Sequence, residues 1–201
     1  MGGARRGDAR HACRLLGMTR CPTLETERLV LRPLRESDLD DYTAVLQHPE
    51  VRRSLHLPDT IGRPQAWEQL AAFLGQWELR GSGQWALEEK RTGRFVGRAG
   101  LHRPERDDWP GLEVGWTLHP GAWGHGYATE AGRAAVDWAW ANHPDERLVS
   151  CILEANLRSQ AVAQRLGFHL QEVRTFRWFP DLPHGLWVLP RDESEPAVRK
   201  A

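Results

Sequence analysis

Cysteine is scarce in this chain of 201 residues, and its spacing is unsuited to metal binding. Only Cys13, Cys21 and Cys151 are present, and no two of them stand in a CxxC arrangement. An odd number of widely separated cysteines is not typical of a disulfide-stapled domain or of a zinc cluster. We therefore expect no bound metal and a reducing, cytoplasmic location.

The chain also lacks an excess of charge of either sign and lacks a long apolar run. Lysine plus arginine and aspartate plus glutamate both number 27. A protein without net charge exerts no long-range attraction on nucleic acids or anionic membranes. No apolar stretch approaches the roughly 18 residues that cross a bilayer, and Arg5-Arg6 is not followed by the apolar core of an export signal. We expect neither a nucleic acid nor a membrane as partner.

The length allows one domain with a sizeable core. Residues 1–22 hold several arginines and glycines without a sustained period, and we expect a disordered arm there. The domain is expected over residues 23–190, followed by a C-terminal tail over 191–201. Within the domain, segments of period 2 alternate with segments of helical period, which is typical of an α/β (α+β) protein built on one central sheet.

Strand-like and helix-like segments divide the domain as follows. The strand-like segments are RLVLRPL, QWALEEK, RFVGRAGLH, LEVGWTLHP, RLVSCILEA, HLQEVRTFRW and GLWVLP. Four helices are predicted. The first follows Ser37 as its N-cap, the second begins at Pro64 and ends at Gly81, and the last two span 126–142 and 157–166. The RTG link between the second and third strand-like segments predicts a hairpin.

A glycine-rich turn between a strand and a helix is the first feature that suggests a chemical function. The strand VGWTLHP stops at Pro120, and Gly121, Gly124 and Gly126 precede an alanine-rich helix. The N–H groups and positive dipole end of a helix start attract phosphate, and glycine lets a phosphate approach the main chain. Such glycines are also ordinary turn residues. The turn lacks the lysine of a P-loop and the third glycine of a dinucleotide fingerprint, which excludes both of those nucleotide sites.

Two motifs together resemble the acetyl-CoA-dependent GNAT superfamily of N-acetyltransferases, and in particular its ribosomal-protein N-terminal (RimJ/RimL-like) branch. The segment VGWTLHPGAWGHGYATEA is followed, after one helix and one strand, by EANLRSQAVAQRLGF. The resemblance covers about residues 23 to 188. It implies a GNAT fold, which is a mixed central sheet of about six to seven strands with helices on both faces. The sheet is expected to be splayed between the strand ending at Leu118 and the strand ending near Ala155.

The resemblance assigns a coenzyme A site to these motifs. The pantetheine arm is expected to pair with the main chain of Trp116, Thr117 and Leu118, and to bond with the side chain of Asn156. Asn156 is equally a good helix N-cap. Main-chain N–H groups are expected to bind the pyrophosphate; the residues concerned are Trp123, Gly124, His125, Gly126, Tyr127, Ala128 and Thr129. Trp123 stands where the family usually has Gln or Arg.

Transfer of an acetyl group to an amine requires a neutral amine, a stabilised oxyanion and a proton for the departing thiolate. By the resemblance, Glu113 is the candidate base, acting directly or through water, although an acid on an alternating strand is as often merely solvated. Ser159 is the candidate group near the sulfur, because the tyrosine common in relatives is replaced by Ala163. The oxyanion donor is expected to be a main-chain N–H near Leu118. Chemical alternatives to the base are His102, His119 and His125.

Tryptophan is unusually frequent, with ten copies against two tyrosines. Periodic positions assign Trp67, Trp77, Trp138 and Trp140 to the core. The resemblance places Trp85, Trp109 and Trp178 in the lining of the acceptor cleft, where their rings are expected to hold an amine through cation–π contacts.

The sequence thus predicts direct acetyl transfer from acetyl-CoA to a primary amine, either a protein N-terminus or a small molecule. The enzyme is expected to be a monomer or a homodimer. A non-catalytic acyl-CoA-binding module of the same fold is the alternative, because the cofactor motifs are clearer than the catalytic ones.

Overall fold

The computed structural model of the protein describes residues 21–177 and 179–191. Nearly all of the predicted arm and tail, and also Trp178, therefore lie outside the described residues. Cys21 packs against the core, and the carbonyl of Pro22 accepts a hydrogen bond from Trp85 Nε1 at 2.8 Å. The folded domain thus includes two residues that were predicted to belong to the arm.

The described chain forms one sheet of eight strands and five α-helices. The strands are β1 (Leu24–Glu25), β2 (Leu29–Arg32), β3 (Gln84–Glu89), β4 (Phe95–His102), β5 (Glu113–Leu118), β6 (Arg147–Leu153), β7 (His169–Phe176) and β8 (Phe179–Pro190). The helices are α1 (Leu39–Gln47), α2 (Pro49–Leu55), α3 (Arg63–Arg80), α4 (Tyr127–Asn142) and α5 (Leu157–Arg165). The strand order is β1-β2-β3-β4-β5-β6-β8-β7, and only the β5–β6 pair is parallel. The predicted mixed sheet is confirmed.

The predicted count of six to seven strands is wrong, because the sequence did not indicate strand β1. This strand has two residues and is too short to show a period in sequence. Strand β8 also begins at Phe179, six residues before the predicted GLWVLP segment. Pairing of β8 with β6 ends where Leu153 faces His184. The prolines of FPDLPH lie beyond that point, so their missing N–H groups break no bond to β6.

The first helix begins at Leu39 rather than at the predicted Ser37 cap. Asp38 precedes it, and this buried carboxylate is bound by both terminal nitrogens of Arg32, each at 2.8 Å. It also accepts the main-chain N–H of Arg35 at 2.8 Å. Asp38 ends a 3-10 turn, Glu36–Asp38, that leads directly into α1. The short helix α2 that follows α1 was not predicted.

Helices cover both faces of the sheet, as predicted. Trp85 and Leu87 of β3 pack in the cluster that contains α4, whereas Ala86 packs in the cluster that contains α1 and the first part of α3. The alternation follows from the two-residue period of a strand.

Three tryptophan rings form the centre of the larger cluster. Trp77, Trp85 and Trp138 meet edge to face, with centroids 4.8 to 5.5 Å apart. Trp85 is 0% exposed, so the prediction that its ring lines the acceptor cleft is wrong. Its side chain lies on the α4 face of β3. The prediction of a core position for Trp67 is also wrong, because its residue is 53% exposed.

Strands β5 and β6 pair at one point only, where Glu113 lies beside Val149. The N–H of Val149 donates to the carbonyl of Leu112, the residue just before β5, at 3.0 Å. Beyond it β5 continues to Leu118 and β6 to Leu153 without pairing. The sheet is therefore splayed between these two strands, as predicted, and we call this opening the fork.

Candidate active site

The carboxylate of Glu113 lies at the point of the fork. Its Oε1 accepts the main-chain N–H of Cys151 at 3.2 Å, and its Oε2 lies 3.4 Å from Nδ1 of His102. The side chain is 13% exposed. One carboxylate oxygen thus takes the place that a β5 carbonyl would have if the two strands continued to pair.

A cavity of about 180 Å³ occupies the fork. Gly115 lies in its floor, and a Cβ added there would meet no atom within 4 Å. Five of the predicted site residues line this cavity: Glu113, Trp116, Thr117, Asn156 and Ser159. The same wall contains four further charged or titratable residues, Arg98, His102, Cys151 and His184. Of these, only His102 was predicted from the sequence, as an alternative base.

Asn156 has the N-cap geometry that the sequence predicts. Its Oδ1 accepts the N–H of Ser159 at 3.1 Å, and its Nδ2 donates to the carbonyl of Ser54 at 3.1 Å, which ties the start of α5 to α2. Ala163 is 0% exposed, so the position where relatives carry a tyrosine faces the core here. The hydroxyl of Ser159 remains the predicted proton donor in this wall.

The glycine-rich turn has the backbone geometry that an anion site needs. Gly124 and Gly126 have φ angles of +78° and +79°, in the left-handed region that favours glycine. Gly126 is the N-cap of the 16-residue helix α4, and no side chain of the described residues caps that end. The N–H groups of the first helical turn therefore remain open to an anion.

Arg28 braces this turn, and sequence reasoning missed it. Its Nη1 donates to the carbonyl of His125 at 2.7 Å, its guanidinium lies 5.0 Å from the ring centre of Tyr127, and it pairs with Glu130 at 2.6 Å. The hydroxyl of Tyr127 donates to Glu89 at 2.7 Å, and this bond raises the pKa of the tyrosine. No sequence spacing connects Arg28 with a turn almost one hundred residues away.

The unusual Trp123 fastens the turn to the sheet. Its Nε1 donates to the carbonyl of Leu118, the last residue of β5, at 2.9 Å. The guanidinium of Arg158, in the first turn of α5, lies 4.6 Å from the centre of the indole. A positive charge is thus present beside the turn although the family's usual Gln or Arg is not.

The remaining predicted residues lie outside the cavity wall. Trp109 packs on Phe176 with ring centroids 5.1 Å apart, and its ring centroid lies 6.2 Å from that of His102. His119 accepts the N–H of Gly121, and His125 stacks on Tyr127. Both histidines thus belong to the glycine-rich turn.

His184 is a second residue that sequence reasoning missed. It lies on β8 in the cavity wall, just before the point where that strand was predicted to begin. Its Nδ1 lies 2.7 Å from the carbonyl of Leu182, and its ring lies 5.6 Å from those of both Phe176 and Phe179. Burial lowers the pKa of His184.

In 21–177 and 179–191, no group of three or more His, Cys, Asp or Glu side chains is arranged to hold a metal ion. No helix in the described ranges has the length and apolar character needed to cross a bilayer.

Acetyl-CoA fits the site. The open helix start at Gly126 suits the pyrophosphate, and the unpaired edge of β5 at 116–118 offers main-chain groups to the pantetheine amides. The cavity at the fork provides room beyond that edge.

Comparisons with known proteins agree with this geometry. A GNAT acetyltransferase domain matches residues 28–169. The chain is 24% identical over 152 residues to the uncharacterized N-acetyltransferase YoaA of Bacillus subtilis, covering 76% of this chain and 85% of YoaA. It is 33% identical to YkkB of the same organism over 85 residues, which are 42% of this chain and only about half (49%) of YkkB.

Solved acetyltransferase structures share the fold. An acetyltransferase of Agrobacterium tumefaciens superimposes with a TM-score of 0.73 and 32% identity, over 86% of this chain and 96% of that one. The ribosomal L7/L12 acetyltransferase RimL, solved with coenzyme A, superimposes with a TM-score of 0.70 and 15% identity, over 84% and 98%. Because the matched domain spans both sequence motifs and most of the sheet, the chain belongs to the GNAT family of acetyltransferases and is an enzyme that uses acetyl-CoA.

Proposed function

We propose that the protein transfers the acetyl group of acetyl-CoA directly to a primary amine inside the cavity at the fork. The observation that carries this proposal is the position of Glu113, a carboxylate in a narrow cavity beside the unpaired edge of β5. A half-buried carboxylate attracts an alkylammonium group more strongly than one in bulk water does. The acceptor amine and the cofactor thus meet at the same point of the sheet.

The chain's own groups have separate tasks in this proposal. The N–H groups of 124–128 bind the pyrophosphate, and the main chain of 116–118 together with Asn156 holds the pantetheine arm. Bound acetyl-CoA supplies the activated thioester. A main-chain N–H near Leu118 stabilises the oxyanion, and the hydroxyl of Ser159 donates a proton to the departing sulfur.

The acceptor is either a protein N-terminus or a small-molecule amine. RimL is named for acetylating the N-terminus of a ribosomal protein, but at 15% identity this likeness supports the fold alone. Thiol release from acetyl-CoA, measured over a panel of N-terminal peptides and small amines, distinguishes the two. Coenzyme A binding with no thiol release from any amine would instead identify a non-catalytic binding module.

Replacing Glu113 with glutamine tests the role of the charge. The variant keeps an oxygen that can accept the Cys151 N–H, so the fork is preserved, but it loses the attraction for the ammonium group. We expect kcat/KM for the amine to fall roughly 10- to 100-fold, in line with a lost charge-assisted hydrogen bond, with coenzyme A affinity unchanged. Steady-state thiol release and calorimetric binding provide these values.

The exposed acid Glu68 on α3 provides the matched control. Glu68→Gln makes the same chemical change away from the cavity and is expected to leave kcat/KM unaltered. Equal activity in Glu113→Gln and Glu68→Gln would show that the charge of Glu113 has no part in the reaction.

A further inference from the structure

We propose that His184 is the base that removes the proton from the acceptor's ammonium group, a role that rests on the acetyl transfer proposed above. His184 is in the same cavity wall as Glu113 and Ser159, although it comes from β8 at the other side of the fork.

The hydrogen bond of Nδ1 fixes the tautomer of His184. A carbonyl oxygen only accepts, so Nδ1 must carry the proton that it shares with Leu182 at 2.7 Å. In the neutral ring, Nε2 then has a free lone pair, and it makes no hydrogen bond to any described residue. The ring is thus held in the form that can accept a proton.

The surroundings of His184 keep the ring neutral. The rings of Phe176 and Phe179 flank it, and burial lowers its pKa. The charged and titratable groups around it are Glu113 from β5, Cys151 from β6, Arg174 directly opposite on β7, and Glu172, which pairs with Arg174. Burial is the largest influence and lowers the pKa of His184, while the hydrogen bond to the Leu182 carbonyl and the charge of Glu113 raise it by less. The net direction favours the neutral imidazole, which can accept a proton.

Glu113 is less suited to the same step. One of its oxygens is committed to the Cys151 N–H, and the other lies beside His102. Its charge can attract the ammonium group without taking the proton. The two residues therefore divide the work, with Glu113 attracting the ammonium and His184 deprotonating it.

The N–H bond of the ammonium breaks and its proton goes to Nε2 of His184, which leaves a neutral amine. The amide N–C bond forms and the thioester C–S bond breaks, the hydroxyl of Ser159 gives its proton to the sulfur and regains one from the second amine proton, and coenzyme A leaves as the thiol. His184 releases its proton to solvent, so one proton is produced per turnover.

His184→Gln tests this proposal, because glutamine can still donate to the Leu182 carbonyl but cannot act as a base. We expect kcat to fall on the order of 100-fold, the usual contribution of a positioned base, with coenzyme A affinity unchanged. In the wild type, kcat/KM is expected to fall at low pH as His184 becomes protonated. This acid limb is expected to vanish in His184→Gln, and to move to lower pH in Glu113→Gln because the charge that raises the His184 pKa is gone.

His169→Gln is the matched control, since His169 is an exposed imidazole on β7 of the same hairpin, outside the fork cavity. It is expected to keep the wild-type rate and pH profile. Wild-type rate in His184→Gln, or an unmoved acid limb in both His184→Gln and Glu113→Gln, would overturn the assignment of the base. Failure of the wild type to acetylate any amine would instead overturn the proposed function itself.

A second inference rests on Arg98, whose guanidinium lies in the same cavity wall. Its Nε donates to the hydroxyl of Tyr42 and its Nη1 to Oε1 of Gln84, both at 2.9 Å, and it lies 4.6 Å from the ring centre of Phe73. These partners orient the side chain, yet all of them are neutral. In the described chain no carboxylate lies within 4.0 Å of this half-buried charge.

Arg98 and Glu113 lie at opposite ends of the cavity. Arg98 faces Thr117 across the β4–β5 ladder, whereas Glu113 faces His102. Four residues of strand correspond to about 13 Å, so the two charges do not neutralise each other directly. We infer that the acceptor carries an anionic group, such as a carboxylate, that binds Arg98 while its amine lies near Glu113 and His184.

Paired acceptors test this second inference. Peptides with Glu or Gln at the second position, and small amines with a free or an amidated carboxylate, differ only in the anion. The wild type is expected to prefer the anionic member of a pair about 10-fold in kcat/KM, as for one charge-assisted contact, and Arg98→Gln is expected to lose that preference. Arg98→Lys is expected to retain part of it.

Two results would contradict the anion site. One is equal use of both members of every pair by the wild type. The other is an Arg98→Gln variant that loses coenzyme A affinity and slows all acceptors equally, which would assign the anion to the cofactor. Wild-type activity on neutral amines would meanwhile leave the proposed acetyl transfer standing.

Discussion

Gly126→Val is expected to abolish acetyl-CoA binding while the protein remains folded. Gly126 has a φ of +79°, a conformation that is strained for a β-branched residue. A Cβ at this position would lie 3.4 Å from Nη2 of Arg28, the side chain that braces the turn. The added methyl groups would also crowd the N–H groups at the start of α4, where the pyrophosphate is expected to bind.

The measurement is calorimetric titration with coenzyme A, where we expect Kd to rise at least about 100-fold, the loss of several charge-assisted hydrogen bonds. Gly93→Val is the matched control, because Gly93 has a φ of +68° in the β3–β4 turn and open space around its Cβ direction. It introduces a similar backbone strain without touching the anion site. Coenzyme A affinity at the wild-type level in Gly126→Val would overturn the location of the pyrophosphate.

Trp85→Ala is expected to lower the free energy of unfolding by about 3–5 kcal/mol, the usual cost of removing a buried aromatic ring. Trp85 is 0% exposed and contacts Trp77 and Trp138 edge to face. The variant also loses the hydrogen bond from Nε1 to the Pro22 carbonyl. Since a domain of this kind is stable by only about 5–15 kcal/mol, this single change would remove much of the stability.

Urea unfolding monitored by circular dichroism provides the free energies. Trp67→Ala removes the same side chain from a surface position that is 53% exposed, and it is expected to change the free energy by about 0.5 kcal/mol or less. Similar losses in the two variants would contradict the central place of Trp85 in the core. Trp85→Phe is expected to retain the wild-type KM for amines, since this ring does not line the cavity.

Features that depend on adjacent residues could be predicted from the sequence. The glycine-rich turn, the Asn156 cap and the helix that starts after Gly126 are each specified within a few positions. The fork was predicted from the resemblance, because its two strands carry the family motifs. Family membership followed from the same two short segments.

Features that depend on distant residues could not be predicted. The bond from Cys151 to Glu113 joins two strands that are parallel neighbours, and no pattern within either strand indicates it. His184 enters the cavity because β8 begins six residues before the predicted segment and pairs His184 with Leu153 at the end of β6, although the prolines around it favour a loop. The error at Trp85 arose because an alternating strand has two buried faces here, and the sequence does not say which face is the cleft.

The central claim is that acetyl transfer takes place in the cavity at the β5–β6 fork. The most direct test is a crystal structure of the protein with coenzyme A and an acceptor amine bound together. We predict the pyrophosphate on the N–H groups of 124–128, and the amine nitrogen in the fork within hydrogen-bond reach of His184 Nε2, directly or through one water. Coenzyme A bound away from this turn, or an amine on the α4 face of the sheet, would contradict the proposal.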